Sequence, residues 1–214
     1  MYLPAHFEEC RPEALHALMR AHPLATVVTM SSSGLVANHL PLHLGIGDDG
    51  GVVLQGHVAR ANPVWKDLVA DTETLAVFRG ADSYITPDWY PAKREHGKVV
   101  PTWNYAAVHA YGQLRIVDDP VRVREIVTRL TAVHEAPRAR PWRLDDAPAD
   151  YLEGMMRAIV GIELVVTRLT GKWKVSQNQP AANREGVIAG LEEDGSERAR
   201  TMATMVDAGS SGRG

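Results

Sequence analysis

The sequence predicts a mainly β fold with helices, an α+β chain whose antiparallel strands close into a barrel or split barrel. Three observations carry this expectation. About six runs rich in β-branched and alternating apolar residues are separated by short turns of Gly, Ser and Asp. Two hairpins follow one another directly, which favours antiparallel pairing. A few helical stretches are interspersed among the strands, instead of alternating with them as a parallel α/β sheet requires.

The elements follow in order. Leu15, Leu18 and Met19 are spaced for a helix over Arg11 to His22, with Pro12 in its first turn and Pro23 ending it. Leu24 to Met30 is a strand, Ser31 to Gly34 a turn, and Leu35 to Ile46 a second strand on which Leu40, Leu42 and Leu44 alternate. Gly45 to Gly51 is a turn cluster with two Asp, and Val52 to His57 a third strand. Asn62 to Ala70 reads as a short helix. Thr74 to Phe78 and Ser83 to Thr86 read as two strands, and Pro87 to Pro101 as a long polar connection that holds aromatics and is therefore expected to be functional. Trp103 to Val117 is a long strand around Gly112. Val121 to His134 and Ala149 to Arg157 are helices, and Ile159 to Leu169 is a long strand. Gly171 to Ala182 is a polar loop, followed by helices at Glu185 to Leu191 and Glu197 to Val206. With no repeat and no linker between periodic segments, one domain is expected over residues 1–207, with a disordered tail at 208–214.

Composition narrows the function classes. The 214 residues carry a formal net charge of −3, so no global positive field draws the chain to nucleic acid or membrane; a DNA partner stays open but unsupported by charge. The single cysteine, Cys10, can form neither an intrachain disulfide nor a cysteine metal cage, and fits a reducing compartment. The opening residues have no signal-peptide pattern, and no apolar run approaches the ~20 residues of a membrane helix. The expected location is cytoplasmic, with no membrane partner.

Three segments carry candidate chemistry. In Leu54 to Pro63 a strand runs into a loop and a helix start, where backbone N–H groups attract anions; Arg60 can add a bidentate grip on a phosphate, and Asn62 stands where a cap belongs. In Val100 to Tyr105, Trp103 and Tyr105 share a face suited to a flat conjugated ring, and Thr102 and Asn104 point the other way on a regular strand. In Gly171 to Gln179, Lys172, Lys174 and Ser176 share a parity that can hold a phosphate, and Gln177 and Asn178 supply amides that both donate and accept. Each segment also has an ordinary reading: a capped helix, a core aromatic pair and a polar loop. His39 and His43 share a strand face and His57 and His109 lie on other strands, but no carboxylate stands with them at a recognised metal spacing, so no metal is expected. Nucleophile-elbow and P-loop motifs are absent.

Together these segments resemble the PaiB family, the FMN-binding negative transcriptional regulators. The matching stretches are Met1 to Phe7, Gly56 to Pro63, Tyr84 to Tyr90, Val99 to Tyr105 with Val108 and His109, Lys172 to Asn178, and Arg184 to Leu191. Val175, where the family pattern has Leu, is a conservative departure. The resemblance implies an FMN-binding split β-barrel, similar to the pyridoxamine-phosphate oxidase group, working as a homodimer with FMN at its interface. It implies cofactor contacts from Gln55, His57, Arg60, Asn62, Thr102, Trp103, Asn104, Lys172, Lys174 and Gln177, with Arg60 the main phosphate ligand and the Lys172–Asn178 segment reaching in from the partner. Lys174 is the candidate for favouring the reduced flavin anion. Three functions stay open: a flavin-binding regulator or sensor, a flavin-dependent oxidoreductase with the Pro87–Pro101 loop as lid, and haem binding through His109, His57 or His96. No catalytic residue is assigned.

Overall fold

The alternation of apolar and polar residues is realised as an antiparallel eight-stranded sheet with helices. The computed structural model describes residues 1–47 and 50–211; the central residues of the expected Gly45–Gly51 turn lie outside them. The strands are β1 (Glu8–Glu9), β2 (Leu24–Ser31), β3 (Gly34–Pro41), β4 (His43–Ile46), β5 (Val52–Ala59), β6 (Thr74–Ile85), β7 (Thr102–Val117) and β8 (Ile159–Lys174). The helices are α1 (Pro12–Ala21), α2 (Ala92–Glu95), α3 (Pro120–Glu135), α4 (Ala149–Arg157), α5 (Ala181–Asp194) and α6 (Glu197–Ser211). The strand order is β3-β2-β6-β7-β8-β5-β4, with β1 added against β8.

Its two edges, β3 and β4, are consecutive in the chain with only Leu42 between them. β3 pairs along its length with β2, Leu24 facing Pro41 and Ser31 facing Gly34, and β4 pairs with β5, His43 facing Gln55. One bent strand therefore serves both ends of the sheet and closes it into a barrel, the architecture expected from the sequence. At the bend the Leu42 N–H donates to the Pro23 carbonyl at 2.9 Å, and the Leu42 side chain is buried. Gly56 leaves the space it enters: a Cβ there would stand 2.8 Å from Leu42 Cδ2 and 2.9 Å from the Pro41 carbonyl oxygen.

The chain resolves into two compact units, each discontinuous in sequence. The barrel unit comprises Met19–Phe78 and His109–Leu169. Its buried face is built by alternation: Ala25 and Val27 of β2, Leu54 and Val58 of β5, Ala76 and Phe78 of β6, and Val160, Ile162 and Leu164 of β8. Helix α3 covers the opposite face of β5 and buries Gln55 there, which is why β5 loses its polar alternation. At the middle of β7, Gly112 permits a close backbone approach to β8, since a Cβ would lie 1.9 Å from the Val165 carbonyl oxygen.

The second unit comprises Met1–Leu18, Arg79–Val108 and Thr170–Gly214. Helices α5 and α6 pack on each other, and Val187, Leu191, Met202 and Val206 join Ile85, Tyr90 and Val175 in its core.

Several elements differ from the sequence reading. The expected helix at Asn62–Ala70 is one 3-10 turn, Pro63–Trp65, capped by the Asn62 side chain. The two expected strands at Thr74–Phe78 and Ser83–Thr86 are one, β6. β8 continues past Leu169 to Lys174, so Gly171–Lys174 is strand and not loop, held by β1 with Glu8 facing Lys172. The Pro87–Pro101 connection contains a 3-10 turn and α2. Of the expected disordered tail, 208–211 continue α6 and 212–214 lie outside the described residues.

Replacing Gly56 by Ala forces a methyl against Leu42 and the Pro41 carbonyl. The expected loss is about 1–3 kcal/mol, the usual cost of overpacking, read from the urea midpoint; an unchanged midpoint would separate this contact from barrel closure.

Candidate functional site

The ten residues expected to face a cofactor divide between the two units. Gln55, His57, Arg60 and Asn62 belong to the barrel unit; Thr102, Trp103, Asn104, Lys172, Lys174 and Gln177 belong to the other.

In the barrel unit, Arg60 is clamped where β5 ends. Its guanidinium donates to Asp118 (Nη2 to Oδ1 2.5 Å, Nη1 to Oδ2 3.0 Å), to the Arg157 carbonyl from Nε at 2.8 Å and to the Ile159 carbonyl from Nη2 at 3.0 Å. Its own N–H donates to the Ala158 carbonyl, and its carbonyl accepts from Trp65 Nε1 at 3.0 Å. Bidentate pairing holds the Asp118 carboxyl below the usual carboxylate range and the Arg60 guanidinium above its ordinary value. Among the described residues these bonds use four of the five guanidinium N–H groups and leave one, on Nη1. Arg60 and Asp118 line a groove of about 740 Å³ with Val121, Val123, Met156 and Ile159.

The neighbours of Arg60 are also committed. Asn62 accepts from Val64 N at 3.0 Å as a cap and donates to Asn38 Oδ1 at 2.9 Å. Gln55 donates to Glu163 at 2.8 Å and accepts from Arg129 at 3.1 Å. His57 is different: its Nδ1 is buried and has no hydrogen-bond partner, and desolvation holds the ring below its ordinary 6.5.

The other unit gathers its six residues around the ends of β7 and β8. Lys174 Nζ donates to Thr102 Oγ1 and to the Trp103 carbonyl (2.7 Å for the latter). Burial first, and then the charge of Lys172, lower its pKa. Asn104 is 1% exposed; its Nδ2 donates to Ser176 Oγ at 2.8 Å and its Oδ1 has no partner. Ser176 takes a left-handed conformation, φ 63°, rare for a residue with a side chain. Gln177 holds the chain in that turn: its Oε1 accepts from Val175 N at 2.7 Å and its Nε2 donates to the Trp173 carbonyl at 2.5 Å. Both ends of the Gln177 amide are thus spent on backbone.

Lys172 is 7% exposed, its ammonium 5.3 to 6.0 Å from the ring centres of Tyr105, Tyr2 and Phe7, and it donates to the Tyr2 carbonyl at 3.0 Å. Neither lysine pairs with a carboxylate among the described residues.

Trp103 is half-exposed and meets Tyr84 edge-on, with ring centres 6.0 Å apart. Its Nε1 donates to Asp82 at 3.0 Å, and the same carboxylate accepts from Arg79 at 3.1 Å and Arg198 at 2.8 Å. Sequence reading missed Tyr84, Asp82 and Arg198 as site residues. The cue available was Asp82 itself, a lone carboxylate inside an otherwise strand-forming run.

The chemistry of this set can be tested against a flavin. A flavin's pyrimidine edge needs donors for its carbonyls and an acceptor for its ring N–H. Lys174 has one N–H beyond its two bonds, Asn104 Oδ1 is an unpaired buried acceptor, and Trp103 and Tyr84 offer exposed ring surface. These residues fit. Arg60 fits less well, because a phosphate would have to share it with Asp118. A cleft of about 360 Å³ beside Trp173 and Gln177 carries Glu8, Glu9 and Arg11 on its wall, and Arg11 is paired with Glu9 there.

Comparison with known proteins agrees with the fold and with FMN as the cofactor. Residues 1–168 match the family described as "Putative FMN-binding domain". The chain is 31% identical over 207 residues to the protease synthase and sporulation protein PAI 2 of Bacillus subtilis, covering 97% of each chain. It is 34% identical over 241 residues to an uncharacterized protein of Emericella nidulans, covering 96% of each. Among solved structures it resembles the FAD and heme binding protein from Mycobacterium smegmatis, with TM-score 0.57 and 16% identity, covering 86% of this chain and 80% of that one. It also resembles the flavocytochrome Anf3 from Azotobacter vinelandii, with TM-score 0.56 and 16% identity, covering 78% and 69%. These structural likenesses establish the split-barrel fold. None of the described helices is long and apolar enough to cross a membrane.

Burial holds His43, His57 and His109 all below 6.5. The unfolded chain then takes up protons first, so stability is fully present above 6.5 and falls as pH drops through the folded values. The urea midpoint should decline below about pH 6.5, and His57→Gln should make the decline shallower; an identical slope in the variant would remove His57 from the effect.

Proposed function

This chain belongs to the PaiB-like family of FMN-binding domain proteins, whose cofactor is FMN, and we propose that it works as a flavin-linked regulator in which Lys174 and Asn104 face the flavin. The observation that carries this reading is the pair Lys172 and Lys174: one buried and one half-buried ammonium group, with no carboxylate partner among the described residues. Positive charge without an internal counter-ion favours an anionic guest, either a phosphate or a flavin carrying negative charge when reduced. Trp103 and Tyr84 supply the flat surface, and Asn104 Oδ1 the acceptor.

Arg60 has a reduced part in this reading. Its clamp on Asp118 and two carbonyls fixes the chain at the end of β5, and one N–H remains for a phosphate. The site is completed by a second copy of the chain, so that FMN and dimer formation are linked. The regulatory role rests on the resemblance of the sequence motifs to the FMN-binding negative transcriptional regulators. The exposed lone Cys10 suits a cytoplasmic setting.

Lys174→Ala should weaken FMN binding by about 1.5–3 kcal/mol, the usual worth of a hydrogen bond from a charged group. Arg60→Ala should cost less affinity and more folding stability. Both are read by quenching of flavin fluorescence during titration, with urea unfolding alongside. An unchanged affinity in the Lys174 variant would remove it from the flavin site.

Direct regulation predicts a specific gel shift with DNA from the protein's own promoter at physiological salt, changed by FMN. No specific band under either condition would leave flavin binding standing and end the direct-regulator reading.

A further inference from the structure

A polar pocket of about 240 Å³ in the barrel unit is lined by Arg115 of β7, Arg122 and Arg129 of α3, Gln55 of β5 and Glu163 of β8. Arg122 and Arg129 are seven positions apart, so two helical turns bring them to one face of α3. β7 brings a third guanidinium from the sheet.

The partners of these groups define what is left over. Glu163, with its side chain 13% exposed, accepts from Arg122 at 3.1 Å and from the buried Gln55 amide at 2.8 Å. The Gln55 oxygen accepts from Arg129 at 3.1 Å. Glu125 stands between the two helix arginines, 3.8 Å from Arg122 and 3.7 Å from Arg129. Arg115 is exposed and its side chain has no hydrogen bond or ion pair among the described residues. Among the described residues, three guanidinium groups thus meet two carboxylates, and the excess positive charge lies on Arg115. Burial first, and then the charges of Arg129, Arg20 and His134, oppose protonation of His43, which pairs with Gln55 across the sheet.

We propose that this pocket binds a small oxyanion, best matched by a phosphate group. The guanidinium fork matches two oxygens of a phosphate at once, which an ammonium does not. Arg115 is the primary ligand. Arg122 and Arg129 are held by Glu163, Glu125 and Gln55 at the edges of the pocket, where each keeps N–H groups for the guest. Gln55 is assigned to this pocket because both ends of its amide are used in it. The three arginines take no part in the flavin reading, so the two proposals stand or fall separately.

The test is calorimetric titration of inorganic phosphate, and in a second arm of ribose 5-phosphate, into both FMN-free and FMN-saturated protein. One phosphate site per chain is expected in both preparations. Tighter binding of ribose 5-phosphate would identify a phosphate monoester as the natural guest, and equal or weaker binding would identify free phosphate. Arg115→Gln should weaken binding about tenfold or more and leave the urea midpoint unchanged, since the replaced side chain makes no bond to the described residues. Arg124→Gln on the same helix, whose wild-type arginine pairs with Asp145 at 2.9 Å outside the pocket, should leave binding unchanged. Absence of phosphate binding, or unaltered affinity in the Arg115 variant, would overturn the proposal. Loss of phosphate binding on FMN saturation would assign the anion to the flavin site and overturn it equally.

Discussion

The contact of Leu42 with Gly56 is what the rest of the barrel depends on. A regular strand from Gly34 to Ile46 would present one straight edge and leave the sheet open. Bending at a single residue gives the chain two edges, one for β2 and one for β5, so the sheet meets itself. The bend needs a buried apolar side chain as its pivot and a missing side chain opposite. Gly56 stands in the segment that reads most readily as an anion loop. In the structure its requirement comes from packing, and the adjoining His57 and Arg60 are placed as a result.

The distribution of paired and unpaired charge separates scaffold from site. Arg60 and Asp118 neutralise each other and tie three backbone segments together, an arrangement that rigidifies and leaves little to offer a guest. Lys172 is buried and Lys174 half-buried, and among the described residues their company is carbonyls, a hydroxyl and aromatic faces. Neutral acceptors stabilise a cation less than a carboxylate does, so these ammonium groups retain attraction for an incoming anion. The left-handed Ser176, fixed by the Gln177 amide, holds Asn104 in place within the same cluster.

Much of the fold was legible in the sequence because burial follows parity. Ala25 and Val27, Leu54 and Val58, and Val160, Ile162 and Leu164 alternate as core faces should. The run Arg79-Gly80-Ala81-Asp82 reads as a break, yet β6 passes through it. Asp82 is satisfied there by Trp103, Arg79 and Arg198, partners that only the folded chain brings together. The far end of β8 was missed because its polar residues find their partners across long loops: Glu8 in β1 and the Tyr2 carbonyl for Lys172, and Thr102 for Lys174. The site was legible as three segments, and two of them, Thr102–Asn104 and Lys172–Gln177, do converge. The competition for Arg60 was not legible, since nothing local marks Asp118 as its partner across 58 positions.

The hydrogen bond from Lys172 to the Tyr2 carbonyl carries a practical consequence for anyone handling the protein. The first residues form the wall of an aromatic chamber around a cation, with Tyr2 and Phe7 among its panels. Replacing Tyr2 or Phe7 by a small residue would strip ring surface from around that cation. A protein so altered can keep its barrel and still misreport its affinity for ligands.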